Sequence, residues 1–272
     1  MSSSNHIVFY DIASGPPVRT FAPNPWKTRY ALNFKKVAYG TEAVDMPNIA
    51  SVREKLGVPA NRTLPDGSPY HTLPLIHDLT TGELIGDTFE TALYLDKTYP
   101  SEKQLFRPGT VGLTAAFNAR ADELFTKHVA LSSNMPFPEE SKAEINGIFA
   151  RRFGLTNLDD MKMSDEAREA LFVGFENALG EFAKAYKHTG GTTDTVWRAT
   201  GTAVAQAQKQ GRTEVGPYLD GDEPAYADLI VGAWLAMSAE CMSAEDWARV
   251  RSWHDGLWGR IHDALEPLRE MH

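Results

Sequence analysis

The residues of this sequence whose types and spacing suit chemistry gather in its first hundred positions. Gly86-Asp87-Thr88 precedes Phe89, Ala92 and Leu93, which recur at helical spacing. An acid and a hydroxyl at a helix start can cap the helix. They can also hold a ligand: free amides and the positive dipole end attract a carboxylate, Thr88 adds a donor, and Asp87 can take an ammonium group. The two uses are compatible. Leu73-Pro74-Leu75-Ile76 reads as a strand that opens at a proline. By itself this is an ordinary trans proline at a strand start. His71 is a candidate cation or donor beside it. A histidine among Pro, Ser and Tyr also reads as a solvated loop residue. The single cysteine, Cys241, permits no intramolecular disulfide and reads as a core residue. There is no Gly-x-Ser-x-Gly, no Walker-type Gly-Lys-Ser/Thr, no His-x-x-x-His and no cysteine pair. Gly190-Gly191 lacks the strand–glycine–helix unit of a dinucleotide site.

The elements that must position these residues follow from periodicity. Ile7-Val8-Phe9-Tyr10 is a buried first strand, and Ser14-Gly15-Pro16-Pro17 is turn-like. Asn24 is a good N-cap, Pro25 suits a first helical turn, and Trp26, Tyr30, Ala31 and Phe34 give an amphipathic helix over 25–36. A second strand spans 37–44, and a short helix spans 47–56. A proline-rich surface loop covers 58–70. Strands at 73–76 and 83–85 lead to the helix that Tyr99-Pro100 stops. The order is β-α-β-α-β-β-α. Beyond it only helical periodicity remains, with Phe117, Ala121, Leu124, Phe125 and His128 on one face. Leu229, Ile230, Ala233, Trp234 and Met237 share another. A histidine on such a face is more often a satisfied core residue than a ligand. Residues 188–194 read as a loop between helices.

The 272 residues carry 27 lysines and arginines against 36 aspartates and glutamates, a net charge of −9. That balance argues against a nucleic-acid partner, whose binding rests on clustered cations. No stretch approaches the ~20 apolar residues of a membrane span. No signal peptide is visible, so a cytoplasmic location is expected. Asn61-Arg62-Thr63 matches a glycosylation sequon and is read as a chance match.

The motifs together resemble the glutathione transferases. Tyr70 to Asp78 is similar to the family's cis-proline segment, Asp87-Thr88 to its acidic-hydroxyl pair, and Pro217 to Asp228 to the entry of the second domain's core helix. More narrowly, Phe9-Tyr10-Asp11-Ile12, Pro23 to Arg29 and Tyr94 to Pro100 resemble the fungal class A transferases, relatives of the bacterial β-etherases that cleave lignin-type aryl ethers. The resemblance is strongest over residues 7–100 and weaker over 135–215. It implies a thioredoxin-like α/β N-terminal domain at 1–100 with a cis Leu73-Pro74 bond, a linker at 101–108 and an all-α domain at 109–272. It implies glutathione as co-substrate, no metal, and a homodimer. The Leu73 N–H and C=O would pair with the cysteinyl backbone, flanked by His71 and Thr72. Asp87 and Thr88 would hold the γ-glutamyl end. Arg53, Lys55, Arg62 or His71 would meet the glycine carboxylate. Phe117 and Phe125 would face a hydrophobic aromatic substrate, with Met135 to Pro138 near the pocket mouth. The resemblance puts a serine or cysteine where this chain has Ala22, so a cysteine-type deglutathionylase is excluded. Activation of the thiol falls to backbone amides near 23–25, to the Asn24 side chain, or to Tyr10. The expected function is conjugation or reductive cleavage of wood-derived aromatics, or, given Ala22, ligand binding with little turnover. The second domain's core helix has Ala225 where relatives carry a capping hydroxyl, leaving Asp222 or Glu223 to cap.

Overall fold

The computed structural model of the chain describes residues 6–154, 156, 163–186, 217–219 and 223–272. The expected loop at 188–194, Gly190-Gly191 and Asp222 lie outside the described residues. Four strands form the main sheet: β1 (Ile7–Ile12), β2 (Tyr39–Val44), β5 (Leu75–Asp78) and β6 (Leu84–Ile85), in the order β2-β1-β5-β6. β1 and β2 run parallel, with Ile7 opposite Tyr39 and Ile12 opposite Val44. A parallel pair needs a crossover, and α1 (Pro23–Lys35) supplies it. β5 and β6 are antiparallel additions on the other side of β1. The third expected strand starts two residues late, at Leu75, because Leu73 and Pro74 precede the ladder. The expected loop at 58–70 contains a small hairpin, β3 (Arg62–Thr63) and β4 (Pro69–Tyr70). Strands of two residues are too short for alternation to announce them.

A 3₁₀ turn at Met46–Asn48 leads into α2 (Ile49–Lys55), and α3 (Thr88–Thr98) follows β6. The described elements beyond are helical: α4 (Val111–Lys127), α5 (Lys142–Phe153), α6 (Asp165–Tyr186), α7 (Tyr226–Cys241) and α8 (Ala244–Ala264). Leu105 and Phe106 in the expected linker are buried, because the Asp96 carboxylate on α3 accepts both of their amides.

α1 does not show the one-sided burial that the amphipathic spacing over 25–36 suggested. It lies between the sheet and α7 and is buried on nearly every side, including Lys27, Thr28, Arg29 and Lys35. Buried charges need partners. Arg29 pairs with Asp11 at 3.2 Å and Lys35 with Asp96 at 3.0 Å. Arg29 also donates to Thr20 and to the Tyr39 hydroxyl, and Thr20 donates to Asp11. This cluster fixes the loop joining β1 to α1. Burial dominates the Asp11 carboxyl and raises its pKa, against the pull of Arg29.

α7 packs on α1 and takes Leu265, which follows α8, against Gly232. A Cβ there would come within 2.1 Å of Leu265 Cδ1 and 3.6 Å of the Tyr30 ring. One continuous core therefore runs from Ile7, Phe9 and Ile76 through Tyr30 and Phe34 to Leu229, Ile230 and Ala233. Among the described residues, neither Glu223 nor any other side chain caps α7 at Ala225. Buried Asp228 instead reaches back to the Ala225 amide at 2.9 Å and holds the Leu219 amide at 2.8 Å.

Candidate functional site

Strand direction brings the candidate residues to one end of the sheet. Tyr10 lies opposite Leu75, and Ile76 lies opposite Ile85. The end of β1, the start of β5 and the end of β6 therefore share one edge, and Leu73-Pro74 and Asp87-Thr88 extend from it. The Leu73-Pro74 bond is cis. Leu73 is buried, yet among the described residues neither its N–H nor its C=O has a hydrogen-bond partner. A buried, unpaired backbone pair is uncommon and suits an extended ligand that completes it.

Asp87 is the N-cap of α3. Its Oδ1 accepts from the Phe89 amide at 2.8 Å and the Glu90 amide at 3.1 Å. The helix start thus offers fewer free amides than expected: the cap consumes two. What remains is the Thr88 amide and hydroxyl, with the second oxygen of Asp87. The Thr88 carbonyl accepts from Tyr226 at 2.8 Å, which ties α3 to α7.

Two residues hold these segments in register. Asn61 donates to the Gly86 carbonyl at 3.0 Å and accepts from the Thr72 hydroxyl at 2.8 Å, joining the cis-proline segment to the start of α3. Arg53, one of the candidate cations for a carboxylate, is 1% exposed. Its guanidinium donates to the carbonyls of Pro59 and Thr72, and a Cβ on Gly86 would lie 2.6 Å from it. Arg53 is thus a brace behind the site, with its donors turned inward. Burial lowers its pKa. His71 is half-buried. Its Nδ1 is buried and has no hydrogen-bond partner among the described residues. Lys55 is exposed on α2, and Arg62 is exposed on the hairpin.

The start of α1 differs from expectation. Its N-cap is Ala22 rather than Asn24, with no side-chain cap. Pro23 and Pro25 occupy two of the first three helical positions and carry no N–H. Of the amides expected near 23–25, only that of Asn24 exists. Asn24 is half-buried, one residue into the helix. Tyr10 packs with Val44, Ile49, Leu73 and Leu75, and burial raises its pKa. Above this end, the Gly15 amide donates to the Pro136 carbonyl at 2.7 Å, and Phe137 meets Phe21 edge-on at 5.2 Å. The segment 135–138 thus packs on the β1–α1 loop.

A lock that sequence reasoning missed joins α1 to the helical region. Lys27 Nζ, fully buried, donates to Asp122 at 2.6 Å and Asn118 at 3.0 Å, both on α4. The Trp234 indole of α7 donates to the same Asp122 oxygen at 2.7 Å. Burial lowers the Lys27 pKa against the pull of Asp122, with Arg62 acting in the first direction and Asp87 in the second. Lys27 stood in a recognised motif. Its partners lie more than ninety residues away, so no local signal could pair them.

The aromatic candidates separate. Phe117 is half-buried and lies 5.1 Å from Phe182. Phe125 is 3% exposed and stacks on Trp234 at 5.3 Å, so it is a core residue and presents almost no surface to a ligand. His128 is satisfied locally, its Nδ1 2.8 Å from the Leu124 carbonyl and its ring stacked on Phe175. Cys241 is fully buried, and burial pushes its thiol up to about 12. A cleft of about 450 Å³ lies beside the site, between the β1–α1 loop, the end of β2 and Pro138. Glu42, Asp45 and Glu140 line it, so it is unsuited to an anionic ligand.

Residues 113–268 match the family model of the glutathione S-transferase C-terminal domain, more than half of the chain. The chain belongs to the glutathione transferase family. A glutathione S-transferase of Ceriporiopsis subvermispora, solved in complex with glutathione, is 30% identical. The match covers 98% of this chain and 99% of that one, with a TM-score of 0.79. Glutathione transferase GSTFuA3 from Phanerochaete chrysosporium is 26% identical over 99% of this chain and 100% of its own, again with a TM-score of 0.79. The glutathione S-transferase-like protein ustS of Aspergillus flavus is 24% identical over 96% of this chain and 92% of its own length. The resemblance to the fungal class A transferases thus holds over the whole chain. At the start of α1 this chain carries a methyl group at Ala22 and a proline on each side of Asn24.

Proposed function

We propose that this transferase binds glutathione at the shared end of β1, β5 and β6 and presents its sulfur to a hydrophobic aromatic electrophile. The Leu73 N–H and C=O pair with the cysteinyl backbone, with Thr72 alongside. The Thr88 amide and hydroxyl hold the γ-glutamyl carboxylate, and the outer oxygen of Asp87 takes the ammonium group. His71 meets the glycine carboxylate. Asn24, through its amide and side chain, donates to the sulfur and favours the thiolate. The thiolate then attacks the electrophile, and the leaving group departs with the bonding pair. Phe117 supplies an apolar face for that substrate. Aryl-ether cleavage and disposal of wood-derived aromatics fit the same chemistry. The observation that carries this reading is the buried, unpaired Leu73 backbone beside the start of α3.

A second reading is favoured by Ala22: a ligandin that keeps the glutathione site and holds aromatic compounds with little turnover. Under both, the chain is expected to act as a homodimer. Calorimetric titration with glutathione, beside conjugation of an aryl halide and an isothiocyanate, separates the two. Binding with turnover above background supports the enzyme, and binding with background turnover supports the ligandin. Absence of binding refutes both.

A further inference from the structure

The two segments assigned to glutathione lie beyond the strand pairing that brings them near each other. The β5–β6 ladder stops at Ile76 and Ile85. Residues 72–74 and 86–88 run on past its end, and among the described residues no backbone hydrogen bond joins one segment to the other. A side chain spans them instead. Asn61, exposed just before β3, donates to the Gly86 carbonyl at 3.0 Å and accepts from the Thr72 hydroxyl at 2.8 Å. Behind this bridge, buried Arg53 donates to the Thr72 carbonyl at 2.8 Å. A Cβ on Gly86 would lie 2.6 Å from Arg53 Nη2, so the guanidinium sets how far the start of α3 can settle inward. Among the described residues, the Thr72 hydroxyl and the Gly86 carbonyl find their hydrogen-bond partner in Asn61 alone.

We propose that Asn61 is a positioning residue for glutathione. By joining Thr72 to Gly86 it sets the spacing between the Leu73 backbone, which pairs with the cysteinyl unit, and the Asp87-Thr88 helix start, which holds the γ-glutamyl end. This inference rests on that placement of glutathione. A ligand with two anchor points binds more tightly when both already stand at its own spacing, because the cost of ordering them is met in the free protein. In this role Asn61 acts through Thr72 and Gly86 and makes no contact with the ligand itself. It lies outside the core, so its loss weakens binding and leaves folding intact.

The test is calorimetric titration with glutathione of the wild type, N61A, T72V, T72S and the N61A/T72V double variant, with thermal midpoints measured on each. N61A loses both bonds and should raise the dissociation constant about tenfold at an unchanged midpoint. T72V should raise it about fivefold, and T72S, which keeps the hydroxyl, should bind as the wild type does. The double variant should bind no more weakly than N61A, because both substitutions break the same bridge. Multiplying effects of N61A and T72V would mean that Thr72 meets glutathione independently of Asn61 and would overturn the proposal, as would a lowered midpoint in N61A. Glutathione binding of equal strength in the wild type and N61A overturns the proposal alone. A wild type that does not bind glutathione removes the placement beneath it, and the proposal with it.

Discussion

At the residue scale, the proposed function makes the start of α1 the segment that sets how reactive a bound thiol becomes. Ala22 has no side-chain donor, Pro23 and Pro25 have no amide, and Asn24 offers both an amide and a side chain. A serine at 22 would add a hydroxyl at the helix start that can donate to sulfur. Ala22→Ser should therefore raise kcat/KM for aryl-halide conjugation by about tenfold, one good hydrogen bond to a developing charge. Asn24→Ala should lower it by a similar factor. Steady-state rates check both, and a serine variant no faster than wild type contradicts this role for position 22. Cys241 makes the complementary point. A thiol held at about 12 stays protonated at neutral pH. The folded protein should resist iodoacetamide for hours and react once denatured, as read by mass spectrometry. The cis Leu73-Pro74 bond and the Asp87 start of α3 were legible because each is carried by adjacent residues. Arg53 was legible as a cation but misread, since only the fold shows its donors turned toward the Pro59 and Thr72 carbonyls.

At the element scale, α1 is held between the sheet and the helical region by charges inside the protein. The Lys27–Asp122 pair carries a testable asymmetry. Removing only Asp122 leaves a buried ammonium group with Asn118 as its remaining acceptor, a loss of about 3–5 kcal/mol. Removing both charges in favour of apolar residues of similar volume is often close to neutral. Asp122→Ala should lower the thermal midpoint sharply, and Lys27→Met should recover most of that loss in the double variant. If the double variant is no more stable than Asp122→Ala alone, the pair is not the lock described. The apolar spacing of α1 predicted a helix correctly but assigned it one wet face. Periodicity reads Lys27, Arg29 and Lys35 as solvent-facing. Their burial depends on Asp122, Asp11 and Asp96, and no local pattern encodes those partners. The β3–β4 hairpin was missed for a related reason: its strands are held by pairing and by the turn at Asp66 and Ser68, without a side-chain alternation to read.

At the scale of the whole molecule, the sheet and the helices share one core, and acid should loosen it through α8. His262 is nearly buried against Trp247, and its pKa is lowered from 6.5 to about 4, by burial first and then by Arg269. The unfolded chain takes up that proton more readily. Stability is therefore retained above about 6.5 and falls as pH drops toward 4, by about 3 kcal/mol at most. Asp263, lowered to about 2 chiefly by Arg251, extends the loss below 3.8. Thermal midpoints measured across that range should decline in the wild type and decline less in His262→Gln. Equal slopes would contradict this. The proposal that organises the molecule is that Asp87 serves two masters, capping α3 with one oxygen and meeting a ligand's ammonium group with the other. Asp87→Asn keeps the cap acceptor and removes the charge. Calorimetric titration with glutathione tests it most directly. The account predicts one site per wild-type chain and a dissociation constant raised about tenfold in Asp87→Asn, at an unchanged thermal midpoint. An equal dissociation constant in the two proteins, or no binding to the wild type, would contradict it.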